Sequence, residues 1–192
     1  MPDYERTTVT SRQEWRAWLK ANHRRDESIW LVTFKKVCGD RHVPYAECVE
    51  EALCFGWIDS RPAKLDDERS MLLLSSRKRG SPWSKLNKHR VARLIESGHM
   101  TPHGLAKISV AQAHGSWDVY NDAEDLAMPI DLARALTANP LAAANFQSFS
   151  PSSRKGILWW IKSAKRPETR EKRIAETIRL AANGVKANHP TK

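Results

Sequence analysis

Residues 57–74 read WIDSRPAKLDDERSMLLL, and this stretch decides the fold. Two runs that favour extended chain, residues 57–65 and 71–74, flank the acidic turn Asp66-Asp67-Glu68. Aromatic, β-branched and apolar residues bounded by turn formers predict a hairpin. Pro62 has no N–H to give to a ladder, so it pushes the far half of the first run to a sheet edge or a bulge. Upstream, residues 29–35 (IWLVTFK) are apolar on both alternating faces, the pattern of an inner strand. All three runs are expected to pair in one sheet.

Outward from this core the spacing turns helical. Ser11 caps a short helix carrying Trp15, Trp18 and Leu19. Pro44 opens another, with Tyr45, Val49, Ala52 and Leu53 as its buried stripe and Gly56 at its end. Downstream, Ser84 caps a helix with Val91, Leu94 and Ile95 inward, and Thr101-Pro102 starts one that Gly115 ends. Pro129 starts the next, stopped by Asn139-Pro140. Ser150-Pro151 and Pro167 start the last two, held by Ile157, Trp160, Ile161 and Ala164, then by Ile174 and Ile178. The fold class predicted is α+β: a small, mainly antiparallel sheet packed with helices, followed by a helical C-terminal half. Residues 1–115 form the α+β part, 116–184 a helical part of the same unit, and 185–192 a loose tail. The polar, acidic stretch from His114 to Asp125 marks the softest boundary.

Length and composition narrow the function classes. A chain of 192 residues suits one domain and buries a core without staples. No apolar run approaches the roughly 18 residues needed to span a bilayer, and the polar start has no signal-peptide core. A cytoplasmic protein with no membrane partner is expected. Cys38, Cys48 and Cys54 include no CxxC pair, which argues against a disulfide framework and a zinc site. The net charge of +10 is uneven: residues 1–60, 61–99, 100–150 and 151–192 carry −1, +6, −3 and +8. Two basic blocks suggest an anionic partner, or simply solvated helix faces. Phosphate-loop, dinucleotide, nucleophile-elbow and zinc-protease motifs are absent. No cofactor and no catalytic residue is therefore assigned.

Two constellations carry the candidate site. Strand alternation puts Trp57, Asp59 and Arg61 on one face, with Ile58 and Ser60 on the other and Ile58 toward the core. An Asp in a strand is disfavoured. Asp59 either orients a ligand, or pairs with an Arg and fixes the loop. The second constellation is RKRGSPWSKLNK, residues 77–88. Cations and a Gly lead into a helix start, whose unsatisfied N–H groups favour a phosphate or carboxylate. The predicted ligand site comprises Trp57, Asp59, Ser60, Arg77, Ser81, Trp83, Ser84 and Asn87, for a small anionic ligand. Two rivals stand beside it. One is an enzyme on a phosphorylated or carboxylated metabolite, with Asp59 as base. The other is a single-stranded nucleic-acid binder. It would use Arg154, Lys155, Lys162, Lys165, Arg166, Arg170, Lys172 and Arg173 around Trp159 and Trp160.

FGWIDS at 55–60 with EEALC before it, LDDER at 65–69, GSPWS at 80–84 with Asn87-Lys88, and AKRPETR at 164–170 together resemble the YdeI/OmpD-associated (bacteriocin-protection) family. Leu72-Leu73-Leu74, Ser75-Ser76 and Ser70 depart from the family pattern. The resemblance implies protection against bacteriocins or cationic antimicrobial peptides. Its suggestion of a periplasmic place does not carry over to a chain read without an export signal.

Overall fold

The computed structural model describes residues 4–189. The chain forms two compact units, Met1–Asp118 and Val119–Lys192. Each has its own apolar core.

In the first unit, β1 (Arg6–Thr8) is followed by α1 (Arg12–Asn22) and β2 (Ile29–Phe34). A 3-10 segment (Lys36–Arg41) leads to α2 (Tyr45–Cys54). The hairpin β3 (Trp57–Lys64) and β4 (Arg69–Ser76) comes next, then α3 (Lys85–Glu96) and α4 (Pro102–His114). β4 pairs antiparallel with both β2 and β3, and β1 runs parallel to β2, giving the order β1-β2-β4-β3. The three expected strands share one sheet and the class is α+β. β1 escapes the sequence reading because it is short and polar. Pairing rather than pattern holds it: Trp30 N donates to Glu5 O at 2.8 Å and Val9 N to Val32 O at 3.1 Å. The hairpin turn is closed by Asp66, whose Oδ1 accepts from the N–H groups of Glu68 and Arg69.

Register explains where the site residues face. Ile29 opposes Leu74 and Leu31 opposes Leu72 on the helix-bearing face, while Trp30 opposes Leu73 on the other. In β3 the register slips between Asp59 and Arg61. Asp59 then pairs with Leu74, on the helix-bearing face, and Arg61 with Leu73. One extra residue inverts the alternation beyond it. The expected Trp57–Asp59–Arg61 strip is therefore broken: Arg61 crosses to the far face, where its guanidinium sits 5.3 Å from the Trp30 ring centroid. The expectation for Ile58 is also corrected. Trp57 is fully buried and takes the core position, its indole N–H donating to His23 O at 2.9 Å, while Ile58 is only half-buried. A ring of that size demands the core, and deleting it would cost about 3–5 kcal/mol.

Two further core assignments fail. Tyr45 is 54% exposed and Ile95 48%. Tyr45 opens α2 with its hydroxyl turned to β3. α3 buries only the stripe of Val91 and Leu94. Two glycines hold the helices close. Gly56, at φ +72, ends α2 in the left-handed region. At Gly104 a Cβ would lie 2.2 Å from Cys54 O, so only hydrogen fits where α4 starts against the end of α2.

The second unit comprises α5 (Asn121–Glu124), α6 (Ile130–Thr137), α7 (Pro140–Ser148), α8 (Pro151–Lys162) and α9 (Pro167–Ala182). Leu132, Phe146, Ile157 and Ile161 lie in its core. In α8, Leu158 is buried, while Trp160 and Ala164 beyond it are half-buried. Asn139-Pro140 ends α6 but also begins α7, where Asn139 caps Ala142 N and Pro140 opens the first turn. The run PLAAANF has little amphipathic contrast, which hides α7 in the sequence. Past α9 the chain folds back: Val185 N donates to Leu180 O at 3.0 Å and Ala187 is buried. The last three residues of the stretch read as a loose tail, 190–192, lie outside the described residues. No described helix is long and apolar enough to cross a membrane.

Candidate functional site

The site grows from the end of β4. Arg77 N donates to Gly56 O at 2.9 Å, so the chain leaving β4 is tied to the turn that enters β3. This bond turns the Arg77 side chain inward, and it is only 3% exposed. Its guanidinium carbon lies 3.6 Å from the Trp83 ring centroid, a close cation–π stack. Nη1 donates to Pro82 O at 3.2 Å. Nε and Nη2 are buried and have no hydrogen-bond partner. A buried guanidinium normally satisfies its donors. Here two nitrogens remain open, and together they form the fork that grips a carboxylate or phosphate through two parallel bonds.

Asp59 supplies the nearest compensation. Its negative charge acts on Arg77, yet its carboxylate is engaged elsewhere: Tyr45 Oη donates to Asp59 Oδ2 at 2.6 Å. Burial pushes the Arg77 guanidinium down to about 9, and Asp59 pulls it partly back. The Tyr45 phenol is pushed up to about 12, by burial first and by the Asp59 bond second. Arg90 reaches this group from α3, where Nη1 donates to Asn87 Oδ1 at 2.9 Å and its charge bears on Tyr45. Exposure falls inward, from Tyr45 at the surface through half-buried Asp59 and Asn87 to Arg77.

The predicted residues divide. Asp59, Arg77, Trp83 and Asn87 belong to this cluster. Ser84 caps α3 by accepting from Asn87 N at 3.2 Å. Ser81 closes its own loop, accepting from Lys78 N at 3.1 Å. Ser60 is the extra residue of the bulge and donates to Leu73 O at 3.3 Å. Trp57 is a core residue. Tyr45 and Arg90 are the members that sequence reasoning missed. Its place at the first turn of α2, beside Pro44, is the local sign that Tyr45 faces outward rather than into the core stripe. Cys54 is buried, and burial pushes its thiol up to about 11, which disfavours the thiolate.

The basic C-terminal run is largely spoken for. Lys155 pairs with Glu124 at 3.5 Å, Lys162 with Asp122 at 2.6 Å, and Arg170 grips Asp131 with two nitrogens. Trp160 lies under Arg173, and Trp159 packs edge-on against Tyr120. The acids of residues 122–131 thus neutralise part of the charge that suggested nucleic acid, leaving Lys165, Arg166 and Lys172 exposed.

Two family models match the chain. One, described as a domain of unknown function (DUF8412), matches residues 7–107. The other, described as bacteriocin-protection, YdeI or OmpD-associated, matches residues 125–184. Of the blocks that carry the resemblance, AKRPETR lies in the second match, and FGWIDS, LDDER and GSPWS lie in the first. Comparison with curated proteins and with solved structures returned no match.

Proposed function

Because the chain belongs to the DUF8412 family through residues 7–107 and carries a bacteriocin-protection, YdeI or OmpD-associated match at 125–184, we propose that it is a cytoplasmic binding protein with a protective role. Its first unit captures a small anion at Arg77. One observation carries this reading: the Nε and Nη2 donors of a buried Arg face no partner. A carboxylate or phosphate on that fork would supply both missing bonds, and the N-terminus of α3 adds favourable potential.

The fork is closed to solvent, so the ligand enters by displacement. Tyr45 is the entry point, since an exposed side chain swings off Asp59 without disturbing the core. Asp59 then acts as a competing internal anion rather than as a ligand contact. Neutralising it should tighten anion binding, the reverse of what the sequence suggests. Protection through direct capture of cationic peptides is disfavoured, because a chain of net charge +10 repels them.

Calorimetric titration with inorganic phosphate and with acetate tests the reading. Saturable binding that vanishes in Arg77→Met and tightens in Asp59→Asn is expected. Equal affinity in wild type and Arg77→Met would remove the site. Length-dependent, salt-sensitive binding of oligonucleotides, with no response to either anion, would move the function to the C-terminal unit.

A further inference from the structure

Beyond the C-terminal end of β2, the helix-bearing face of the sheet opens into a cleft of about 300 Å³. Val43 lines it from just before α2, Tyr45 and Cys48 from the start of α2, and Pro62 and Leu72 from the sheet. Two hydroxyls stand among these apolar walls. Thr33 and Ser70 oppose each other across the β2–β4 ladder, and both line the cleft. Neither hydroxyl has a hydrogen-bond partner among the described residues. The other polar groups there are accounted for differently. Lys35 Nζ is turned to the carbonyls of Asp66 and Asp67, at 2.8 and 2.9 Å. His42 Nδ1 bonds to Phe34 O at 2.8 Å, and Lys36 is exposed. No acid and no Arg lines the space.

We infer that this cleft is a second ligand site, for a small uncharged molecule with an apolar body and one hydroxyl or carbonyl head. The volume lies at the low end of the range of about 300–1,000 Å³ for small-molecule sites, which fits a single ring or a short branched chain. The class of head follows from the hydroxyl pair. Each hydroxyl both donates and accepts, so together they satisfy an alcohol or a carbonyl. A full negative charge would find no buried cation here, in contrast to Arg77. The site is separate from the anion reading and does not depend on it. Tyr45 touches both, as a wall of this cleft and as the donor to Asp59.

The test is titration of the ¹⁵N-labelled full chain with benzyl alcohol and cyclohexanone, with benzoate as the charged control. Saturable shifts are expected at the amides of Thr33, Val43 and Ser70, and benzoate should produce none. Ser70→Leu fills the cleft and should abolish the shifts. Thr33→Val keeps the shape, removes one hydrogen bond and should weaken binding about five-fold. Should Ser70→Leu lose the dispersed spectrum of a folded chain, Thr33→Val decides alone. Arg77→Met should leave this binding unchanged, so failure of the anion site and failure of the cleft read out separately. Absence of saturable shifts up to millimolar probe, equal binding of benzoate, or full affinity in Thr33→Val would each overturn the inference.

Discussion

Glu51 and Arg77 are both charged and both almost fully buried in the first unit, at 1% and 3% exposure, but they are treated in opposite ways. Glu51 receives Arg12 Nε at 2.7 Å on one oxygen and Arg16 Nη1 at 2.6 Å on the other. Those two arginines come from α1, so the pair of bridges bolts α1 to α2. Arg77 has one carbonyl, one aromatic face and a carboxylate that is bonded to something else. A buried charge with all its partners belongs to the scaffold. One with half of them is where the anion proposed above would find its bonds.

The largest effect should come from breaking the complete side of this contrast. Glu51→Ala strips two arginines of their acceptor and should cost about 3–5 kcal/mol. Urea denaturation with an unchanged slope measures it. A loss under about 1 kcal/mol would mean that Glu51 and Arg77 do not differ in kind. At Arg77 the expectation inverts. Arg77→Met keeps the stack on Trp83 roughly filled and removes a poorly compensated charge, so the unfolding midpoint should hold or rise while anion binding disappears. A steep fall in midpoint would return Arg77 to the scaffold.

Alkaline pH sharpens the contrast further. The folded-state pKa of Arg77 is depressed to about 9, below its unfolded value. Above pH 9 the unfolded chain therefore binds the extra proton, and the wild type gains stability relative to a variant without the group. The advantage of Arg77→Met should shrink as pH rises through 9, in paired denaturation curves at pH 7.5 and 10. A constant or growing advantage would contradict the depressed pKa. The smallest change in stability should follow Asp59→Asn. It keeps an acceptor for Tyr45 and should move stability by less than about 1 kcal/mol, while phosphate affinity rises.

The sequence made the hairpin legible because Asp66, Pro62 and the Leu72–Leu74 run each act locally. It also put Asp59 and Arg77 in one candidate site, since both border the same hairpin. It could not place Arg61, because parity beyond a bulge depends on where the extra residue sits, and Pro62 allows more than one position; Trp57, before the bulge, was misplaced because alternation alone does not say which of two faces is the core. Tyr45 and Arg90 were hidden for another reason. Their roles arise from the packing of α2 and α3 beside β3, a non-local outcome that leaves no periodic trace. α7 was invisible because alanines suit any face of a helix.

The bulge at Ser60 has a consequence for how molecules of this chain behave toward one another. β3 is an edge strand of the sheet, and a flat edge strand is a template on which a second chain can add its own. Here the β3–β4 ladder is interrupted in mid-strand by an unpaired residue, which bends the edge strand, and two positions later Pro62 offers no donor. Lys64 closes the strand with a charge. A neighbouring chain would find no uninterrupted row of donors and acceptors along this border. The kink that separates Asp59 from Arg61 thus also works as a guard against strand-by-strand aggregation in a crowded solution.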